Sequence, residues 1–146
     1  MKVLLVAQQG GHFQQLLRLR AAWEGMDVAW ALTVAEVEPP AGLEGPRYFL
    51  ASSDRRTPWK ILANFPRAWR VLRRERPDVI LSTGAAIAIP FALLGRLHGV
   101  PFVWVDSQAN NRKLSGTGGF LARCAARAYT QWPALAAGRF RYRGRV

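Results

Sequence analysis

The chain has 146 residues, of which half are hydrophobic and 21% charged, a balance that excludes a disordered chain and leads us to expect one globular domain over 1–146. One cysteine, Cys124, excludes an internal disulfide and fits a reducing compartment, and two histidines, His12 and His98, suggest no metal-ligand cluster. The formal net charge of +12 comes from arginine apart from Lys2, Lys60 and Lys113, and it calls for an anionic partner: nucleic acid, an anionic membrane surface or a phosphorylated substrate.

The continuous apolar run "KVLLVA" (Lys2 to Ala7) predicts a strand buried on both faces of a parallel sheet. It is too short for a signal peptide or a membrane span. Phe13, Leu16, Leu17 and Leu19 or Ala22 keep helical spacing, with Gly25 as a stop. "DVAWALT" (Asp27 to Thr33) predicts a second strand. The segment Val34 to Pro46, with three glutamates, three prolines and two glycines, predicts a surface loop, and "RYFLA" a short strand ending at Ser52.

A basic, tryptophan-bearing stretch runs from Pro58 to Arg76, and Pro66 places the start of its main helix near Asn64, which would cap it. "PDVILS" (Pro77 to Ser82) predicts another buried strand. "TGAAIAIPFALLGRLHG" turns into a helix ended by Gly99, and Val100 to Val105 gives the next strand. The loop "DSQANNRKLSGTGG" leads to a helix over Phe120 to Ala128, and "AYTQW" makes a last short strand.

Strands alternating with helices predict a Rossmann-like α/β fold: a parallel sheet with helices on both faces. Ligands of such sheets sit at the carboxyl ends of the strands. Four segments fall there: Gln8 to His12, Thr83 to Ala86, Asp106 to Gly119, and the residues around Trp132.

Each of these segments has two readings. Gly10 and Gly11 make either a plain turn or an anion cradle, in which backbone N–H groups and the positive end of the following helix meet a phosphate. His12, on the first helical turn, would present an imidazole able to accept a proton. The spacing is neither G-x-G-x-x-G nor a P-loop. Thr83 and Gly84 repeat the pattern, as a second ligand turn or as close helix–sheet packing. Asp106 ends a strand either as a functional carboxylate or as a turn cap, and Arg112, Lys113, Ser115 and Thr117 are all able to bind phosphate. Trp59, Trp69, Arg70 and Arg73 belong either to a membrane-surface helix or to an amphipathic helix packed on the sheet.

Taken in order, "QQGGHFQQLLRL", "PDVILSTGAAIAIPFALL", "VWVDSQANNRKLSGTGG" and "YTQWP" resemble the acceptor-side subunit of two-part UDP-sugar glycosyltransferases. That family includes the membrane-anchoring subunit of the UDP-GlcNAc transferase of asparagine-linked glycosylation and bacterial exopolysaccharide proteins of the PssD type. A more distant likeness is to the N-terminal half of MurG. The resemblance implies half of a GT-B enzyme that holds a polyprenyl-diphosphate-linked acceptor, while a donor-binding partner chain holds most of the UDP-sugar in a heterodimer. It implies an inverting transfer without metal or other cofactor, on the inner face of the cell membrane, with no nucleic acid as partner.

By motif, Gly10, Gly11 and His12 would face the acceptor diphosphate or the reacting hydroxyl, and Thr83 and Gly84 would form the second glycine turn. Ser115 and Thr117 match the "SLTG" element, here "SGTG". Gln15 and Asp106 each stand where the family usually has glutamate. His12 or Asp106 would be the catalytic base. The alternative from another class is a non-catalytic scaffold that recruits a transferase to the membrane.

Overall fold

The computed structural model describes residues 1–33, 43–53 and 56–146. Its centre is β1 (Lys2–Ala7), whose alternate side chains enter two cores: Leu4 and Val6 on one face, Val3, Leu5 and Ala7 on the other. Apolar residues at every position of that strand are the signature of a sheet covered on both sides. Helix α1 (Gly11–Arg18) follows, then a 3-10 turn and β2 (Asp27–Thr33), which pairs parallel to β1. Strand β3 (Arg47–Leu50) joins the outer side of β2. Of the loop expected over 34–46, residues 34–42 lie outside the described residues.

Helix α2 (Pro58–Glu75) carries the chain back across the sheet to β4 (Val79–Ser82), on the other side of β1. Helix α3 (Ala88–Leu97), β5 (Phe102–Val105), α4 (Gly116–Leu121), β6 (Arg127–Thr130) and β7 (Phe140–Tyr142) complete a seven-stranded sheet. Its order is β3-β2-β1-β4-β5-β6-β7, and every pair is parallel. The expected Rossmann-like α/β fold is what the chain adopts. The strand order reverses between β1 and β4, and the carboxyl edge at such a reversal is where open α/β sheets form a ligand crevice.

Three expectations about elements are corrected. Helix α2 begins at Pro58, six residues before Asn64, because a proline in the first turn loses no intrahelical bond. Asn64 is buried and caps nothing: its side chain accepts from the Ala51 amide (3.1 Å) and donates to the Ala51 carbonyl (2.8 Å), tying α2 to the end of β3. Pro66 sits inside the helix, where its ring lies on the exposed side. The helix expected over 120–128 is instead the short α4. The Ser115 hydroxyl accepts from the Gly118 amide (2.8 Å) and so fixes an earlier start. Strand β7 was not anticipated; it is a three-residue edge strand that buries only Phe140.

At the amino end of the sheet, Lys2 Nζ lies 2.7 Å from Glu75 Oε2, and the Tyr48 hydroxyl donates to Glu75 Oε1. Burial pushes the Glu75 carboxyl up, but hydrogen bonds and charge from Lys2 and the bond from Tyr48 outweigh it, and the net displacement is downward. A carboxyl held below its unfolded value contributes stability above the ordinary carboxylate range and loses it as pH falls through the folded value. Thermal melts between pH 7 and pH 3 should therefore show a loss of stability below about pH 4.5. Glu75→Gln should flatten that part of the curve.

Candidate functional site

The turn that leaves β1 is open. Gly10 has φ +100°, a conformation that disfavours any side chain, and it starts α1 without a side-chain cap. Gly10 and Gly11 are exposed, and a Cβ on either would meet nothing within 4 Å. At Gly11 neither crowding nor a positive φ calls for glycine. The first amides of α1, from Gly11 to Phe13, have no carbonyl within the helix to bond. They form a donor cluster at the positive end of the helix, suited to an anion.

His12 sits half-buried at the lip of this turn and is fastened to the exit of β4. Its Nδ1 lies 3.1 Å from the Thr83 carbonyl oxygen, and the Thr83 hydroxyl donates to the His12 carbonyl (2.6 Å). Gly84, at φ +153°, lies against the ring: a Cβ there would come within 2.0 Å of Nδ1 and 2.2 Å of Cε1. Ala85 next to it also holds a left-handed φ of 73°, which is costly for a residue with a Cβ. The two glycine turns singled out in the sequence thus converge on one side chain. Thr83 is fully buried and Gly84 is buried, so both reach the crevice through His12.

The loop leaving β5 turns Asp106 inward. Its carboxylate, 1% exposed, accepts from the Ser115 hydroxyl (2.6 Å), the Ser115 amide (3.1 Å), the Trp104 indole N–H (3.4 Å) and the Asn110 side-chain amide (3.4 Å). No hydrogen bond joins it to His12. The expectation of an available carboxylate at this strand end gives way to a loop anchor, because every nearby donor belongs to the same loop or to β5. Ser115 is similarly committed, donating to Asp106 and accepting from Gly118. Thr117 lies half-buried in α4.

Sequence reasoning missed Trp104 and Gly118 as parts of this anchor. A Cβ at Gly118 would fall 2.8 Å from Asp106 Oδ1 and 2.6 Å from Ser115 Oγ. The only signal for Gly118 was a glycine three residues after a serine. The segment around Trp132, singled out in the sequence, supplies two further ties: the Gln131 side-chain amide donates to the Asp106 carbonyl (3.2 Å), and the Trp132 indole donates to the Gln108 carbonyl (2.9 Å). These bonds tie the β5 loop to the exit of β6.

The membrane-surface candidates all lie on α2, three of them on one stripe. Trp59, Leu62, Pro66, Trp69 and Arg73 recur at helical spacing, and Trp59 and Leu62 are 63% and 67% exposed. Trp69 is more engaged: its ring packs 4.5 Å from that of His98, with the Arg73 guanidinium 5.9 Å from its centroid. Arg70 is exposed and donates to the Pro66 carbonyl (3.3 Å). Because Asn64 is level with the end of β3, residues 58–63 rise roughly 9 Å above the carboxyl edge of the sheet. Trp59 and Leu62 therefore stand on the His12 side of the molecule, whereas Trp69 lies further toward the opposite end. Among the described residues no helix is long and apolar enough to cross a membrane.

No family model matches the chain. Over 126 residues it is 33% identical to the UDP-N-acetylglucosamine–N-acetylmuramyl-(pentapeptide) pyrophosphoryl-undecaprenol N-acetylglucosamine transferase of Halorhodospira halophila. That match covers 86% of this chain and 34% of the transferase, so the chain spans about a third of the length of this relative. Among solved structures it is similar to Acinetobacter baumannii MurG, with a TM-score of 0.75 at 23% identity, over 97% of this chain and 45% of MurG. It is also similar to the UDP-N-acetylglucosamine 2-epimerase of Rickettsia bellii, with a TM-score of 0.73 at 17% identity, over 99% of this chain and 45% of the epimerase. The fold is one Rossmann-like domain of the GT-B architecture. A transferase and an epimerase share it, so the residues of the crevice, and not the sheet, must select the chemistry.

Proposed function

We propose that this chain is the acceptor-binding half of an inverting glycosyltransferase. It would move a sugar of the UDP-GlcNAc class from a UDP-sugar to a polyprenyl-diphosphate-linked saccharide. A donor-binding half on a partner chain completes the cleft, as in the two-part transferases whose motifs this sequence resembles. The observation that carries the reading is His12, half-exposed at the mouth of an open glycine turn at the sheet's reversal point. The transfer of N-acetylglucosamine to a pyrophosphoryl-undecaprenol acceptor named for the Halorhodospira relative supports the substrate class.

The chemistry follows from the residues. The acceptor hydroxyl attacks the anomeric carbon and gives its proton to the His12 imidazole, while the carbon–oxygen bond to the donor diphosphate breaks and UDP departs with the electron pair. The Gly11–Phe13 amides hold an acceptor phosphate through backbone donors and the helix dipole. Asp106 contributes by fixing the β5 loop beside the crevice.

A location on the cytoplasmic face of the membrane is part of the same proposal. Trp59 and Leu62 overhang the edge where the acceptor would bind, and Arg67, Arg70 and Arg74 flank their stripe, an arrangement suited to anionic headgroups. Flotation with vesicles containing anionic lipid should show binding of the wild-type chain, weakened about tenfold in a Trp59→Ser, Leu62→Ser double variant. Transfer to a water-soluble, short-chain acceptor by the chain with its donor partner should be unaffected by that double change. Vesicle binding without any transfer, across UDP-sugars and with the donor half bound, would instead leave the scaffold reading.

A further inference from the structure

The contact between His12 and the exit of β4 carries more than proximity. A carbonyl oxygen can only accept, so an imidazole nitrogen 3.1 Å from the Thr83 carbonyl must bear the hydrogen of that bond. On a neutral ring the other nitrogen, Nε2, then holds the free lone pair. Nothing among the described residues bonds Nε2. The ring is held from below as well: Gly84 leaves no room beneath it, and the Thr83 hydroxyl pins the His12 carbonyl at 2.6 Å. The Gly84 amide faces Ser82 Oγ at 3.4 Å, so the turn is itself braced.

We propose that the β4–α3 turn is a holder that selects the Nδ1–H tautomer of His12 and aims Nε2 at the crevice. Thr83 and Gly84 are positioning residues that act through the ring, not direct phosphate ligands. The inference rests on the reading of His12 as the proton acceptor, but it makes its own claim about the ring. A histidine side chain free in water favours the opposite tautomer, so the holder works against the intrinsic preference. The left-handed Ala85 and the positive φ of Gly84 are the backbone distortion that brings the Thr83 carbonyl to the ring.

The test is nitrogen NMR of the full chain labelled with 15N-histidine, at a pH where the rings are neutral. Only His12 and His98 contribute, and a His98→Asn variant assigns the signals. The expected result is a protonated Nδ1 and a bare Nε2 at His12. In Gly84→Ala the new Cβ must displace the ring. The Nδ1–H signature should be lost, and kcat/KM with the donor partner should fall about 100-fold. A wild-type ring protonated at Nε2, or a Gly84→Ala ring indistinguishable from wild type, would overturn the proposal. The wild-type spectrum decides the tautomer even where Gly84→Ala fails to fold. If the Nδ1–H tautomer is found but His12→Ala transfers sugar at the wild-type rate, the holder stands and the base assignment falls. If Nε2 is protonated while His12→Ala is inactive, the base stands and the holder falls.

Discussion

Replacing His12 with alanine should lower turnover of the chain assembled with its donor half by about 10²–10⁴-fold, the range that a positioned proton acceptor contributes. Donor-half association and vesicle binding should persist, because the ring is half-exposed and α2 is untouched. The size of the effect follows from geometry. The ring is tied to a buried turn, stands beside open helix amides, and occupies the carboxyl edge where the sheet reverses. The measurement is steady-state transfer from UDP-GlcNAc to a polyprenyl-diphosphate saccharide, with co-purification as the control for assembly. Unchanged turnover in a fully assembled pair would remove His12 from the mechanism.

Asp106→Ala should act on stability instead, lowering it by about 3 kcal/mol, which corresponds to a fall in Tm of about 6–12 °C. Removing the carboxylate leaves the Ser115 amide and hydroxyl and the Trp104 indole N–H without their acceptor in a site that is 1% exposed. Unpaired buried donors cost the full desolvation penalty, which is why the loss exceeds that of an ordinary hydrogen bond. Asp106→Asn keeps the volume but presents an N–H₂ to at least one of those donors, so its melt should fall between the other two. The comparison separates the two roles the sequence allowed. An anchor loses stability first and activity in proportion, whereas a proton acceptor would lose activity while the melt stayed in place.

Both predictions turn on where the structure departs from pattern reading. His12 and Asp106 are alike in sequence terms: each lies just beyond an apolar strand, in a segment that contains glycines. They differ in what surrounds them. His12 meets a turn 71 residues away, and one side of its ring remains open. The Asp106 carboxylate finds its partners within nine residues, in its own loop and strand. The same distinction separates the tryptophans. Trp59 and Trp69 lie on one helical stripe, yet Trp69 meets His98 just past the end of α3 while Trp59 stands clear.

The sequence by itself determined the parallel sheet, the order in which strands and helices alternate, and a glycine turn at the exit of the first strand. These properties are local: unbroken apolar runs cannot face water on either side, and glycines mark turns whatever lies beyond them. Tertiary structure alone decided that Asn64 is drawn to the end of β3 instead of capping a helix. It alone joined Thr83 and Gly84 to the His12 ring and closed the β5 loop around Asp106 with Trp104 and Gly118. Each of these rests on a hydrogen bond or a missing Cβ between groups set side by side by the fold, and no spacing along the chain encodes such a pairing.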